Sequence, residues 1–346
     1  MKTKHLALLF VPILLVSSLA TGCNSSGSTS KKLVFYSSQG YDSAIAKAFQ
    51  KKTGIKVQLV DDSTGNLLAK IEAEKSNPHW DVMWCDGDIN LQAMDNEGLL
   101  QKNWTPNDIG NLNSLGKTLV PSDDAYFPTG TTAAAAIGVN TKLVSSADYP
   151  RDWSDLLSST FKNSLAMNDP ALSGPTYPYI AGILQTMGQS AGEQYYTSLK
   201  ANGMKVFSTN DTTLQALLKG QVKAVTIQDS ALINSKVSGN SIDIIYPKSG
   251  VATLPSVIGI AKKSPDLDAA KQFVAYVYTT EAQKIMLNKD NGGGDSYYNP
   301  VITGVQADDA RLQVEKNGIK WNKLNTANAA KNIDTVKAWF HENIVQ

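Results

Sequence analysis

The feature that most constrains this chain is an alternation of element types that begins at Leu33. LVFYSS reads as a strand, YDSAIAKAFQKKTG as an amphipathic helix stopped by Gly54, and IKVQLVDD as a second strand with period two. Residues 63 to 74, STGNLLAKIEAE, form the next helix, with Leu67, Leu68 and Ile71 on one side and Lys70, Glu72 and the following Lys75 on the other; DVMWCD is a third strand. Strand, helix, strand, helix, strand at this spacing predicts an α/β fold, a mainly parallel sheet with helices on its faces. Ligands of such sheets sit beyond the carboxyl ends of the strands.

A second block repeats the architecture without repeating the sequence. SLAMNDP ends a strand, SGPTYPYIAGILQTMG starts a helix with small residues, MKVF is a short strand, DTTLQALLKG a helix capped by Asp211 or Asn210, and QVKAVTIQDS a strand; IDIIYP closes the block. FPTGTTAAAAIGVN and VATLPSVIGIAKKSP read as two crossings of a hinge. Past Pro265, helices over 266–278 and 281–289 and the tail to Gln346 are expected to pack back on the first block. The expectation is one lobe from 33–133 plus 262–346 and another from 134–261. A chain of 346 residues, 42% hydrophobic, is long enough to give each its own core.

The amino-terminal segment stands apart from both. Lys2 and Lys4 precede the apolar run LALLFVPILLVSS, which has the length of an export signal and is too short to span a bilayer comfortably. The run ends in LATGC, which resembles the lipobox of bacterial lipoproteins, with Ala20 where leucine is more usual. That resemblance implies cleavage before Cys23 and a lipid on its sulfur, so residues 1–23 are a signal, 24–32 a Ser/Gly-rich tether, and the protein is extracytoplasmic and held to the cell membrane by its anchor.

Without the signal, 30 basic side chains face 31 acidic ones, a balance that gives no sustained attraction to nucleic acid. Cys85 is then the one remaining cysteine, so neither an intrachain disulfide nor a cysteine zinc site is expected. His79 and His341 are too few and too isolated for a metal centre, and no cofactor is expected.

Three polar loops follow the strands of the first block: Ser37, Ser38 and Gln39; Ser63, Thr64 and Gly65; and Asp86 to Asp88. Neither Ser63 nor Thr64 has a Glu or Gln three places on, so no capping box forms and the turn is expected to keep its backbone donors free. A helix start with free N–H groups is an anion site, and Ser173, Gly174 and Thr176 offer a second one, although a plain N-cap is the simpler account of either alone. Asp86 and Asp88 beside Trp84 suit an ammonium group or a metal, with the indole available for cation–π contact; a solvated strand end is the simpler account, and Asp88 is a candidate cap for a helix beginning at Ile89. Gln228 and Asp229 hold the equivalent place in the second block, where Asp229 is also a candidate cap, and Thr129 in the first crossing completes the set. Of Tyr195 and Tyr196, adjacent on a helix, one is expected in the core and the other at the surface. Tyr297 and Tyr298 follow a GGGD loop.

The strings SLGK at 114–117, SGN at 238–240 and KSG at 248–250 echo serine penicillin-binding enzymes, with Ser114 as nucleophile. The last two lie eight residues apart, where that chemistry draws them from well-separated segments.

LVFYSSQGYDSAIAKAFQKKTGIKVQLVDDSTGNLLAKIEAEKSNPHWDVMW, with NDPALSGPTYPY and AAKQFVAYVYTTEAQKIM, resembles the substrate-binding lipoproteins of bacterial ABC importers, in the group similar to ferric-iron and phosphonate binders. The resemblance runs from about Leu33 to Val305. It implies a two-lobed clamp of the periplasmic-binding type, a monomer and not an enzyme, that shuts on a small anionic solute and hands it to a permease with its ATPase. For iron binders it implies a histidine after the first strand, an acidic residue after the third and a tyrosine pair after VTIQ. Here Gly40, Asp86 and Ser230 with Ala231 occupy those places, so most iron ligands are absent. Ser173 and Gly174 match the oxyanion loop. The expected ligand is a phosphonate such as 2-aminoethylphosphonate, or a phosphorylated compound, with ferric iron and an exported serine hydrolase as the alternatives.

Overall fold

The computed structural model describes residues 32–316 and 318–346. The signal, the lipidation site at Cys23 and the tether up to residue 31 lie outside them. The strands are β1 (Lys32–Ser37), β2 (Lys56–Asp61), β3 (Val82–Asp86), β4 (Tyr126–Ala133), β5 (Ala136–Asn140), β6 (Leu165–Asn168), β7 (Lys205–Phe207), β8 (Ala224–Ile227), β9 (Ile242–Ile245), β10 (Val251–Ile260), β11 (Asn299–Pro300) and β12 (Trp321–Asn322). The helices are α1 (Asp42–Thr53), α2 (Thr64–Ala73), α3 (Asp88–Asn96), α4 (Ser114–Lys117), α5 (Thr176–Met187), α6 (Gln189–Ala201), α7 (Asn210–Leu218), α8 (Asp229–Val237), α9 (Leu267–Val277), α10 (Thr280–Met286), α11 (Lys289–Gly292), α12 (Asp309–Glu315) and α13 (Thr326–Phe340).

They build two mixed sheets. One has the order β11-β4-β10-β3-β1-β2, with β12 beside the start of β10, and the other the order β7-β6-β8-β5-β9. The βαβ units run parallel, β1 with β2 and β3, and β6 with β7 and β8. Antiparallel pairs lie next to the crossings, β10 against β3 and β4 and β5 against β8 and β9, and β11 adds an antiparallel edge to β4. The chain leaves the first sheet at Ala133, joins the second at Ala136, and is back in the first at Val251, so β10 belongs with the first sheet and not with the expected lobe over 134–261.

Position in the sheet explains the residue patterns. VMWCD of β3 is buried throughout, as expected of a strand covered on both faces, whereas β2 at the edge alternates. On one face Phe35 packs on Phe273 at 4.6 Å between ring centres, and Phe49 meets the same ring at 5.1 Å, which ties β1, α1 and α9 together. On the other face Met83 and Cys85 are covered by Leu67 and Ile71 of α2 and by Met94 of α3.

The tail behaves differently from its expected role. It reaches the first half through α3, but Ala329, Ile333, Val336 and Phe340 recur at helical spacing along α13 and join the core that holds Tyr177, Ile180 and Tyr196 of the second. The tail therefore bridges the halves. The same packing corrects the expectation for the tyrosine pair: Tyr195 and Tyr196 are both buried, since α6 is covered on one side by the Trp153 segment and on the other by Tyr179 and Phe340.

Candidate functional site

The strand ends of both sheets converge on one seam. After β3, the carboxylate of Asp86 accepts Gln39 Nε2 at 3.2 Å from the β1 loop and Gln228 Nε2 at 3.1 Å from the β8 loop. Each amide is fixed by its other atom, because Gln39 Oε1 accepts from Tyr41 at 2.7 Å and from Ser256 at 2.9 Å, and Gln228 Oε1 accepts from Asn210 at 3.1 Å. Only the Nε2 ends are left to face the carboxylate. Behind Asn210, Asn168 donates to it at 2.7 Å and to the Ser173 hydroxyl at 3.1 Å, which extends the network to the start of α5.

A few residues away the two halves touch by their backbones. Gly65 N donates to Leu172 O at 3.1 Å across the seam, and on the first half's side of it the Thr64 and Ser38 hydroxyls are 2.9 Å apart. A Cβ added at Gly65 would lie 2.0 Å from Ala171 O, and one at Gly174 would lie 2.5 Å from Thr64 Oγ1. Both positions need glycine because another chain segment occupies the place of the side chain. The expectation of a free first turn in α2 is corrected here: the Ser63 hydroxyl caps it by accepting from Asn66 N at 3.3 Å, which needs no capping box, and Gly65 N is taken across the seam.

A second carboxylate comes from a place without any spacing signal. The glycines at 292–294 fold over α8, where a Cβ on Gly294 would lie 3.3 Å from Ala231 Cα, and this sets Asp295 beside Asp86 with Gly40 N at 2.6 Å from its Oδ2. Burial first, then the charge of Asp86, push the Asp295 carboxyl up to about 7. Burial also raises Asp86, against the hydrogen bonds that favour its charged form. The space they share has a volume of about 10 Å³, too little for more than one water, so its own side chains fill it. No lysine or arginine lines it.

The expected residues divide accordingly. Gln39, Asp86 and Gln228 line the cavity, while Ser38, Thr64, Gly65, Ser173 and Gly174 form the adjoining seam. Ser37, Thr129, Thr176 and Asp229 are buried and do not line it. Ser37 accepts Gln39 N at 3.1 Å within its own turn, and Thr129 is held between the Trp84 indole and Ser256 O, so Gly130, Thr131 and Thr132 reach the cavity instead. Asp229 is spent on Ala133 N at 2.9 Å, Tyr246 at 2.9 Å and an ion pair with Arg311. Trp84 stands behind Tyr41, 5.3 Å between ring centres, which leaves Tyr41 as the aromatic wall. Asp88 takes the Thr326 hydroxyl at 2.7 Å, and the residue before the first turn of α3 is Gly87. The α7 cap is Thr209 in a capping box with Thr212. Tyr298 lines the cavity, and Tyr297 is buried without reaching it. Among the described residues, no group of three His, Cys, Asp or Glu side chains is placed to hold a metal ion.

A family model described as bacterial extracellular solute-binding protein matches residues 41–289. A Salmonella paratyphi A protein, named as a candidate 2-aminoethylphosphonate-binding periplasmic protein, is 23% identical over 300 residues, with 80% of this chain and 85% of that one covered. The major ferric iron-binding protein of Neisseria meningitidis serogroup B is 24% identical over 250 residues, covering 70% and 74%. In structure, the periplasmic binding protein AfuA of Actinobacillus pleuropneumoniae, solved with fructose-6-phosphate bound, superposes with a TM-score of 0.81 at 20% identity, over 91% of this chain and 98% of that one.

Proposed function

Since the chain belongs to the family of bacterial extracellular solute-binding proteins, matched over residues 41–289, we propose that its clamp captures a small zwitterion, an aminophosphonate of the 2-aminoethylphosphonate kind, for an ABC importer. Members of this family bind their solutes and do not transform them, so no covalent step is involved. The observation that carries the reading is Asp86, a buried carboxylate that receives one amide from each half and has a second carboxylate, Asp295, beside it. A site of that charge, lined by Tyr41 and Tyr298 and lacking any basic side chain, suits an ammonium group.

The oxyanion belongs at the adjoining seam. There α2 and α5 begin on opposite sides, with the positive ends of two helix dipoles and the hydroxyls of Ser38, Thr64 and Ser173 close by. Entry of the solute exchanges the amide bonds to Asp86 for bonds to the ligand. Contacts to both halves exist together only when the clamp is shut, so binding shifts the population toward that form. The lipid anchor at Cys23, resting on the LATGC string, and a clamp of two lobes, one around the β1–β3 sheet with β10 and the other around the β5–β9 sheet, complete the proposal.

Calorimetric titration with 2-aminoethylphosphonate, ethylphosphonate, putrescine, fructose-6-phosphate and ferric citrate tests it. The expected result is one site for 2-aminoethylphosphonate and at least tenfold weaker binding of each of the others. Tighter binding of putrescine, or a visible tyrosinate band with iron, would overturn it.

A further inference from the structure

Chemistry dictates the direction of every hydrogen bond behind Asp86. A carboxylate only accepts, so Gln228 must turn Nε2 to Asp86 and Oε1 to Asn210, 3.1 Å away. Asn210 therefore gives Nδ2 to Gln228 and keeps Oδ1 for Asn168, whose Nδ2 donates to it at 2.7 Å. That leaves Asn168 Oδ1 for the Thr213 hydroxyl, which donates to it at 2.5 Å. The second Nδ2 hydrogen of Asn168 goes to Ser173 Oγ at 3.1 Å. Both amide hydrogens of Asn168 are then spent. Ser173 accepts from Asn168, so its own hydroxyl hydrogen is left over, and among the described residues no acceptor takes it. Asn168, Ser173, Thr213 and Gln228 are all buried, where such bonds are strong and water does not replace them.

We infer that Asn168 is a positioning residue that couples the two ends of the clamp's site: through Asn210 and Gln228 it keeps an amide hydrogen on Asp86, and at Ser173 it frees a hydroxyl hydrogen for the oxyanion of the solute. This rests on the assignment of the ammonium to Asp86 and of the oxyanion to the seam. Asn168 acts through its neighbours and lines no part of the cavity. The ends are linked because no amide in the chain can turn over alone. With Asn168 reversed, its Oδ1 would face both Asn210 and Ser173, and Thr213 would accept where it now donates. Asn210 and Gln228 would have to turn with it. Gln228 Oε1 would then face the Asp86 carboxylate, and Ser173 would give its hydrogen to Asn168. The observed order suits a solute that is positive at Asp86 and negative at Ser173, and the reversed order opposes it at both ends.

Asn168→Asp imposes the reversed order, since an aspartate there can only accept. Calorimetric titration of the full chain with 2-aminoethylphosphonate, with and without Ser173→Ala, measures the coupling. Ser173→Ala should weaken binding by the parent about tenfold or more. Asn168→Asp should itself weaken binding about tenfold or more, and on that background Ser173→Ala should cost about threefold at most, because the hydrogen is already withdrawn. A loss caused only by a disturbed fold would leave the two substitutions additive. Asn210→Asp supplies the contrast, and serves as the test if Asn168→Asp does not fold. It reverses Gln228 and leaves Asn168 as it is, so binding should weaken about tenfold while Ser173→Ala keeps its full cost. Additive losses at 168 and 173, or parental affinity in either folded single variant, would overturn the coupling and leave the clamp's ligand standing. No binding of 2-aminoethylphosphonate by the parent would overturn that ligand, and the coupling with it.

Discussion

Gln228 and Asp86 come from different sheets, yet Gln228 Nε2 stands 3.1 Å from Asp86 Oδ2. That bond joins the halves, and its acceptor belongs to the carboxylate proposed to receive the ammonium. Asp86→Asn is expected to weaken 2-aminoethylphosphonate by about 100-fold, the scale of losing a charged hydrogen-bond partner. The same change should not raise the melting temperature of the ligand-free protein, because the Asn NH2 must face one of two fixed Nε2 donors and that lost bond offsets the desolvation spared. Calorimetry and thermal melts check both, and an unchanged affinity would take Asp86 out of the site.

Gly65→Ala tests the seam. The new Cβ would lie 2.0 Å from Ala171 O, a contact that exists only when the halves meet, so the clash falls on closure and spares each half. We expect melting within a few degrees of the parent and at least tenfold weaker binding. Small-angle scattering should show a larger radius of gyration with ligand than the parent has. Parent-like affinity and compactness would mean that the seam does not close on ligand.

Asp295 gives the clamp a pH dependence of known sign. Its carboxyl is raised from 3.8 to about 7, so in the ligand-free chain its contribution to stability is fully present below about 4 and is lost as pH rises through about 7. An arriving ammonium favours the charged carboxylate and expels the proton. Affinity for 2-aminoethylphosphonate should therefore strengthen between pH 5 and 7, by up to about tenfold per unit for one linked proton. Titrations in buffers of different ionisation enthalpy should detect the released proton in the parent and much less of it in Asp295→Asn. A flat profile in the parent would contradict the assignment.

Local pattern carried the architecture and about half of the site. The alternation from Leu33 and the small residues at 63–65 and 173–174 are local signals, and the structure brings those segments together. Asp295, Tyr41 and Ser256 had no such signal, because they reach Asp86 through a glycine fold over α8, a turn after β1 and a position inside β10. Asp229 looked like a ligand residue for a reason of the same kind. Its place after β8 suits a ligand, but the residues that occupy it, Arg311 and Tyr246, lie 82 and 17 positions away.

Arg311 is the last element to test, since its side chain is fully buried and its partners hold the Gln228 loop. Its guanidinium pairs with Asp229 and with Glu315 at 3.1 Å, donates to Asn299 at 3.2 Å, and lies over the Trp321 ring. Arg311→Met leaves Asp229 charged, buried and without its cation, at a cost of about 3–5 kcal/mol. Adding Asp229→Asn removes the stranded charge and keeps an oxygen for Ala133 N, so the double variant should recover at least half of that loss in urea unfolding. Because Asp229 follows Gln228 directly, the single variant should also weaken 2-aminoethylphosphonate, and the double variant less so. If the two substitutions destabilise additively, the pair is not coupled and Arg311 does not act on the clamp through Asp229.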